Sequence, residues 1–110
     1  MTNLPTDQRL TFDTELTLSG PFTGTAQLIG TIGNEPVILM IKNQSSVTVF
    51  VADNNGSTKG TTMVSGESII MDNRANSGRA PNMGFPIGTS FYVTGTGGTG
   101  AVKISVLYAK

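Results

Sequence analysis

The sequence predicts an all-β fold, an antiparallel β-sandwich or jelly roll of about seven to eight strands. Three observations lead there. Apolar and polar residues alternate in short runs, as in Leu10, Phe12, Leu16 and Leu18 against Thr11, Asp13, Glu15 and Thr17. Turn formers recur between the runs, with 14 Gly and 5 Pro in 110 residues. Helix-forming residues never accumulate over the roughly 11 positions that an amphipathic helical face requires.

The first strand is predicted over residues 9–19, one face buried and one wet, with Gly20-Pro21 ending it. A second covers 24–32, with Ala26 and Leu28, extended by Gly30 and Ile32, on one face, before the turn Gly33-Asn34-Glu35-Pro36. The third, 37–42, and the fourth, 47–53, are joined by Asn43-Gln44-Ser45-Ser46, read as a short hairpin loop. Asp53-Asn54-Asn55-Gly56 is a turn, since Asn and Gly tolerate positive φ. The fifth strand is 68–72, after the Ser65-Gly66 turn. A long loop from Asn73 to Gly88 has nothing helical in it, and loops of that length are often functional. Strands over 89–94 and 101–108 close the chain around the glycine-rich stretch 95–100, read as a glycine hairpin. Residues 1–8 are expected to form a flexible N-terminal arm and 9–110 a single sandwich domain.

Alternation fails in the third strand, where Val37-Ile38-Leu39-Met40-Ile41 are all apolar. A half-exposed strand of a small sandwich alternates, so both faces of this one are expected to be covered. The cover comes from the N-terminal segment, the long loop or another chain. Ile69-Ile70-Met71 repeats the pattern on a smaller scale.

Composition excludes many chemistries. The chain has no His, Cys or Trp, so imidazole- and thiol-based zinc sites, Ser-His-Asp or Cys-His catalysis and disulfides have no residues to use. Seven Lys and Arg balance seven Asp and Glu, which argues against nucleic acid as a partner. The longest apolar run is 37–41, against the roughly 20 residues of a membrane helix, so no membrane association is expected. Residues 1–5 lack the basic and apolar regions of a secretory signal. The absence of Cys fits synthesis in a reducing cytoplasm.

The few motifs weigh lightly. Gly95, Gly97 and Gly100 satisfy G-x-G-x-x-G, yet an alternating strand follows instead of the helix whose N-terminus binds pyrophosphate. Asp13 and Glu15, about 7 Å apart on one strand face, have a spacing that glycosidases use, but the expected reading is the solvated face of an amphipathic strand. Asp53, Asn54, Asn55 and Asp72 offer oxygen ligands without the spacing of a calcium loop. Asn43-Gln44-Ser45 and Asn55-Gly56-Ser57 match the glycosylation pattern, which means little without a secretory signal. Arg74 and Arg79, in the long loop, place two cations where an acidic surface or a carbohydrate acid would be clamped. No nucleophile–base pair is recognisable, and no metal or cofactor is expected.

The chain resembles a group of small bacteriophage virion structural proteins made of one β-sandwich. The resemblance runs from about Thr25 to Leu107. It rests on Ile41-Lys42-Asn43-Gln44-Ser45-Ser46, then Val49-Phe50-Val51, Gly60-Thr61-Thr62, Ser65-Gly66-Glu67 with Asp72, Phe91-Tyr92-Val93 and Val102-Lys103-Ile104. The chain departs from that pattern in the long loop, which the group keeps to a few residues. The resemblance implies a non-enzymatic role on the phage particle. That role is a head decoration or cement protein, or a collar, tail or fibre component, and it brings no catalytic residues with it.

On this reading the protein is a virion component, made in the host cytoplasm, that self-associates as a homo-oligomer such as a trimer. It docks on a major capsid or tail protein by burying apolar strand surface and pairing sheet edges. The expected contacts are Val37, Leu39, Ile41, Ile69 and Met71, with Arg74 and Arg79. A second reading is a carbohydrate or host-surface binding module using Phe85, Phe91 and Tyr92. A small hydrolase is a third, with no acid–base set behind it.

Overall fold

The computed structural model of the chain describes residues 9–53, 59–72 and 85–109. Among them lie strands β1 (Leu10–Phe12), β2 (Leu16–Ser19), β3 (Phe22–Thr23), β4 (Gln27–Thr31), β5 (Ile38–Asn43) and β6 (Val49–Asp53). These are followed by β7 (Gly60–Met63), β8 (Ser68–Asp72), β9 (Ser90–Thr94), β10 (Thr96–Gly97) and β11 (Ala101–Ala109). The protein is all-β, its strand pairs are antiparallel, and the fold is that of a β-sandwich.

One sheet runs β1–β11–β5–β8, with β2 also paired to β11. The other runs β4–β9–β6–β7, and β10 and β3 form a small ribbon. Period-two alternation gives each sheet one apolar face, and the two such faces pack together. Leu39, Ile41, Val102, Ile104 and Val106 come from the first sheet, and Ile29, Val49, Val51, Met63, Phe91 and Val93 from the second. Phe22 and Ile32 close the sides.

Three expectations change. The 9–19 segment is two strands, both on β11, with a break at 13–15 where the Asp13 N–H donates to Val106 O at 2.8 Å. The loop 43–46 is a crossover between sheets and not a hairpin. β5 already has β11 on one side and β8 on the other, so β6 has no edge of it to pair with. The loop's amides go elsewhere: Gln44 N–H to Ala101 O and Ser46 N–H to Thr99 O, both at 2.9 Å. The 95–100 stretch is likewise a crossover from β9 to β11, and it carries β10 on the way. Strand β7 had no sequence signal, because Gly60-Thr61-Thr62-Met63 has a single apolar side chain facing the core. Residues 1–8, and with them the expected arm, lie outside the described residues.

Asn43, the last residue of β5, is fully buried and saturated. Its Nδ2 donates to Val47 O at 3.0 Å and to Met63 O at 2.9 Å, while its Oδ1 accepts from Ser45 N–H at 3.1 Å and Ser45 Oγ at 2.5 Å. Its backbone holds the 64–67 turn, donating to Glu67 O at 2.9 Å and accepting from Gly66 N–H at 2.8 Å. One side chain therefore ties a strand of the first sheet to the crossover and to the end of β7 in the second. Gly100 closes the same end with φ +83, where an added Cβ would press on Gln44 O.

Asn43→Ala orphans buried carbonyls and is expected to cost about 3 kcal/mol, against about 1 kcal/mol for Ser45→Ala, by urea denaturation. Gly100→Ala is expected to cost at least twice as much as Gly66→Ala. Gly66 also has positive φ (+87) but open space around it, so only the backbone term of about 1–2 kcal/mol applies there.

Candidate functional site

Directly opposed residues in an antiparallel ladder place their side chains on the same face. The register of the first sheet therefore defines its outer surface row by row. Phe12, Leu107 and Ile38 form one row, ending at Asp72 on β8. The next row is Ser105, Met40 and Ile70, and the next is Thr17, Lys103, Lys42 and Ser68. The apolar members of the first two rows, Phe12, Leu107, Ile38, Met40 and Ile70, with Leu10 at the margin, make a band of large apolar side chains facing outward. Phe12 is 68% exposed, Ile70 66% and Leu10 37%. Ile38, Met40 and Leu107 are half-buried between them.

This face is the opposite one to that expected. Leu39 and Ile41 point into the intersheet core at 0% and 3% exposure and offer no surface to a second chain. Ile69 and Met71 are partly buried and pack on the same core, and Val37 is half-buried with its N–H donating to Leu107 O at 2.8 Å. The parity is the reason: residues 39, 41, 69 and 71 share the inner face, and 38, 40 and 70 share the outer one. The outer set was legible as alternate members of the same two apolar runs. Nothing in those runs marked which parity faces the core. Arg74 and Arg79 lie outside the described residues.

The polar border of the band is an ion pair. Glu15, in the break between β1 and β2, accepts from Lys42 Nζ at 3.0 Å and from Ser105 Oγ at 2.8 Å on the same oxygen, Oε2. The Ser105 hydrogen bond, followed by Lys42, holds the Glu15 carboxyl below its ordinary value of 4.5. A carboxylate stabilised in its charged form is a poor base for activating the serine. Asp13 is engaged separately, its Oδ2 accepting from Asn34 Nδ2 at 3.0 Å and its Oδ1 from Thr14 N–H at 2.7 Å. The two carboxylates thus have separate hydrogen-bond partners around the strand break.

The other candidates resolve as follows. Phe91 is 2% exposed, and Phe85 meets it edge-on with ring centroids 5.0 Å apart, so both belong to the core. Tyr92 alone of the three aromatics lies on an outer face, half-buried opposite Ala52 and Leu28. Asn43 is sequestered with its amide fully engaged, which removes it as a glycan acceptor. Asn54, Asn55 and Ser57 lie outside the described residues, and among the described residues no three metal-ligating side chains come together. Ile41, Met71, Phe85 and Phe91 help line an open pocket of about 170 Å³ whose walls are largely apolar.

Comparison with protein-family models, curated proteins and solved structures returned no match for this chain.

The Glu15 arrangement predicts a pH signature. A pKa lowered on folding adds stability that is complete above the ordinary carboxylate value of 4.5 and is lost as the pH falls through the depressed folded value. Denaturation profiles are expected to show the wild type losing stability over that acid window more steeply than Glu15→Gln. Equal slopes would mean that the pair contributes nothing on folding.

Proposed function

We propose that the protein is a non-enzymatic structural subunit of a bacteriophage virion, a capsid decoration or cement protein that self-associates and docks on the major capsid shell. The observation that supports this reading most is the apolar band on the outer face of the first sheet. A small monomeric sandwich ordinarily keeps an outer face polar, and contiguous exposed apolar surface marks an interaction site. Glu15 is engaged with Lys42 and Ser105 in tying the strand break to the first sheet, in keeping with a subunit that works by contact. The resemblance of 25–107 to small β-sandwich virion proteins supplies the particle as the scaffold. Docking then proceeds by removal of Phe12, Ile70 and their neighbours from water, at about 25 cal/mol per Å² of apolar surface.

Two measurements test this. Mass spectrometry and immunogold labelling of purified particles are expected to find the chain on the head, and particles lacking it are expected to lose heat stability. Unchanged particles would remove the reading, and labelling confined to the tail or collar would move the subunit there. Phe12→Ser, at an exposed site, is expected to leave folding stability within about 0.5 kcal/mol of wild type while weakening attachment to particles at least tenfold.

A further inference from the structure

Among the described residues the two main sheets have four edges, and three carry features that discourage pairing with another chain. The β1–β2 edge is broken at 13–15, β4 has a register shift between Leu28 and Gly30, and four-residue β7 opens with Gly60 directly after Lys59. Short or bulged strands and edge lysines are the usual protections. β8 has neither a bulge nor a lysine, and its one charged residue is the terminal Asp72. Ser68-Ile69-Ile70-Met71-Asp72 pairs β5 in unbroken register, holds no Pro or Lys, and has no strand on its far side among the described residues.

We infer that β8 is a self-pairing edge, at which a second copy of this chain adds in antiparallel register about a two-fold axis through Ile70. The pattern of β8 is palindromic about that residue. Such a register sets Ile70 against its own symmetry mate, Ile69 against Met71, and Ser68 against Asp72. Every apolar residue meets an apolar one on the same face, and the acidic side chain meets a hydroxyl donor instead of another carboxylate. The backbone is aimed correctly as well. Asn43 N–H donates to Glu67 O, so by ladder alternation Ile69 and Met71 direct their amide groups to β5, and Ser68 and Ile70 direct theirs to the open edge. Ile70 and its mate then exchange both hydrogen bonds at the centre.

Two further observations favour a second copy as the occupant. The formal net charge is zero, so identical chains approach without net repulsion. The axis also joins the apolar bands of the two copies through Met40, Ile70 and their symmetry mates, making one continuous outer face from two. A five-residue ladder buries less than the roughly 800 Å² per partner of a standard interface, so the dimer forms in the micromolar range or weaker, and is strengthened where several contacts act together.

The pairing rests on β8 alone and is tested on the isolated full chain, so its failure is separate from failure of the virion reading. Sedimentation across a concentration series up to about 1 mM is expected to show a reversible monomer–dimer equilibrium. Ile70→Lys, at a largely exposed position, is expected to keep the β-sheet circular dichroism and to weaken the dimer at least tenfold by setting two ammonium groups face to face. The chain has no cysteine, so single-cysteine variants report contacts cleanly. Ile70→Cys is expected to cross-link with a short bis-maleimide at least ten times faster than Val64→Cys, which is also exposed but lies off this edge. A monomer throughout the series, a trimer, a dimer indifferent to Ile70→Lys, or equal cross-linking of the two cysteines would each overturn the proposal.

Discussion

The fold depends on one buried amide. Asn43 ends β5 inside the core, and its side chain can be placed there only because each of its hydrogen-bonding directions has a partner: Val47 O, Met63 O and Ser45. In a low-dielectric interior such a network stabilises when complete and is costly when one member is missing. Completing it fixes much else. The chain must leave β5 toward the other sheet, the 64–67 turn must return to Asn43's backbone, and the glycine-rich crossover must pass close enough for Thr99 O and Ala101 O to take the loop amides.

The position of β5 follows from that exit. With the chain directed away at Asn43, both edges of β5 are free for β11 and β8, and the strand becomes central in its sheet. One of its faces enters the core and the other covers the middle of an outer surface. The same apolar run therefore supplies Leu39 and Ile41 to the interior and Ile38 and Met40 to the exterior band. β8, next to it, repeats the division with Ile69 and Met71 inside and Ile70 outside. An interior this well satisfied, with no buried side-chain polar atom lacking a partner among the described residues, stands beside an exterior that is apolar where solvent would favour polarity. That contrast is the basis of the docking role proposed above.

The charged groups are consistent with the same division. Glu15 bridges Lys42 on β5 and Ser105 on β11 across the strand break, and Asp13 anchors that break to Asn34. They tie the segment between the first two strands to β5, β11 and Asn34. An exposed pair of this kind adds little to stability by itself. Its effect is to hold local geometry at the border of the band.

The strands themselves were largely legible in the sequence, because alternation and turn residues are local properties. The 37–42, 47–53, 68–72, 89–94 and 101–108 segments all appear close to their expected places, and the absence of His, Cys and Trp limited the chemistry from the start. The β7 strand escaped because four edge residues with one core contact leave no periodic signal. The hairpins assigned to 43–46 and 95–100 are crossovers, since a short polar loop looks alike whether it returns within a sheet or passes to the other. The apolar run 37–41 announced a strand with two covered faces, but period-two geometry is symmetric between them. Composition and periodicity by themselves thus determined a small neutral β domain with an excess of apolar strand surface. Only the tertiary structure decided that Leu39 and Ile41 lie inside and Ile38, Met40 and Ile70 outside, because that choice is made by strand register, and register is set by contacts between residues far apart in the chain.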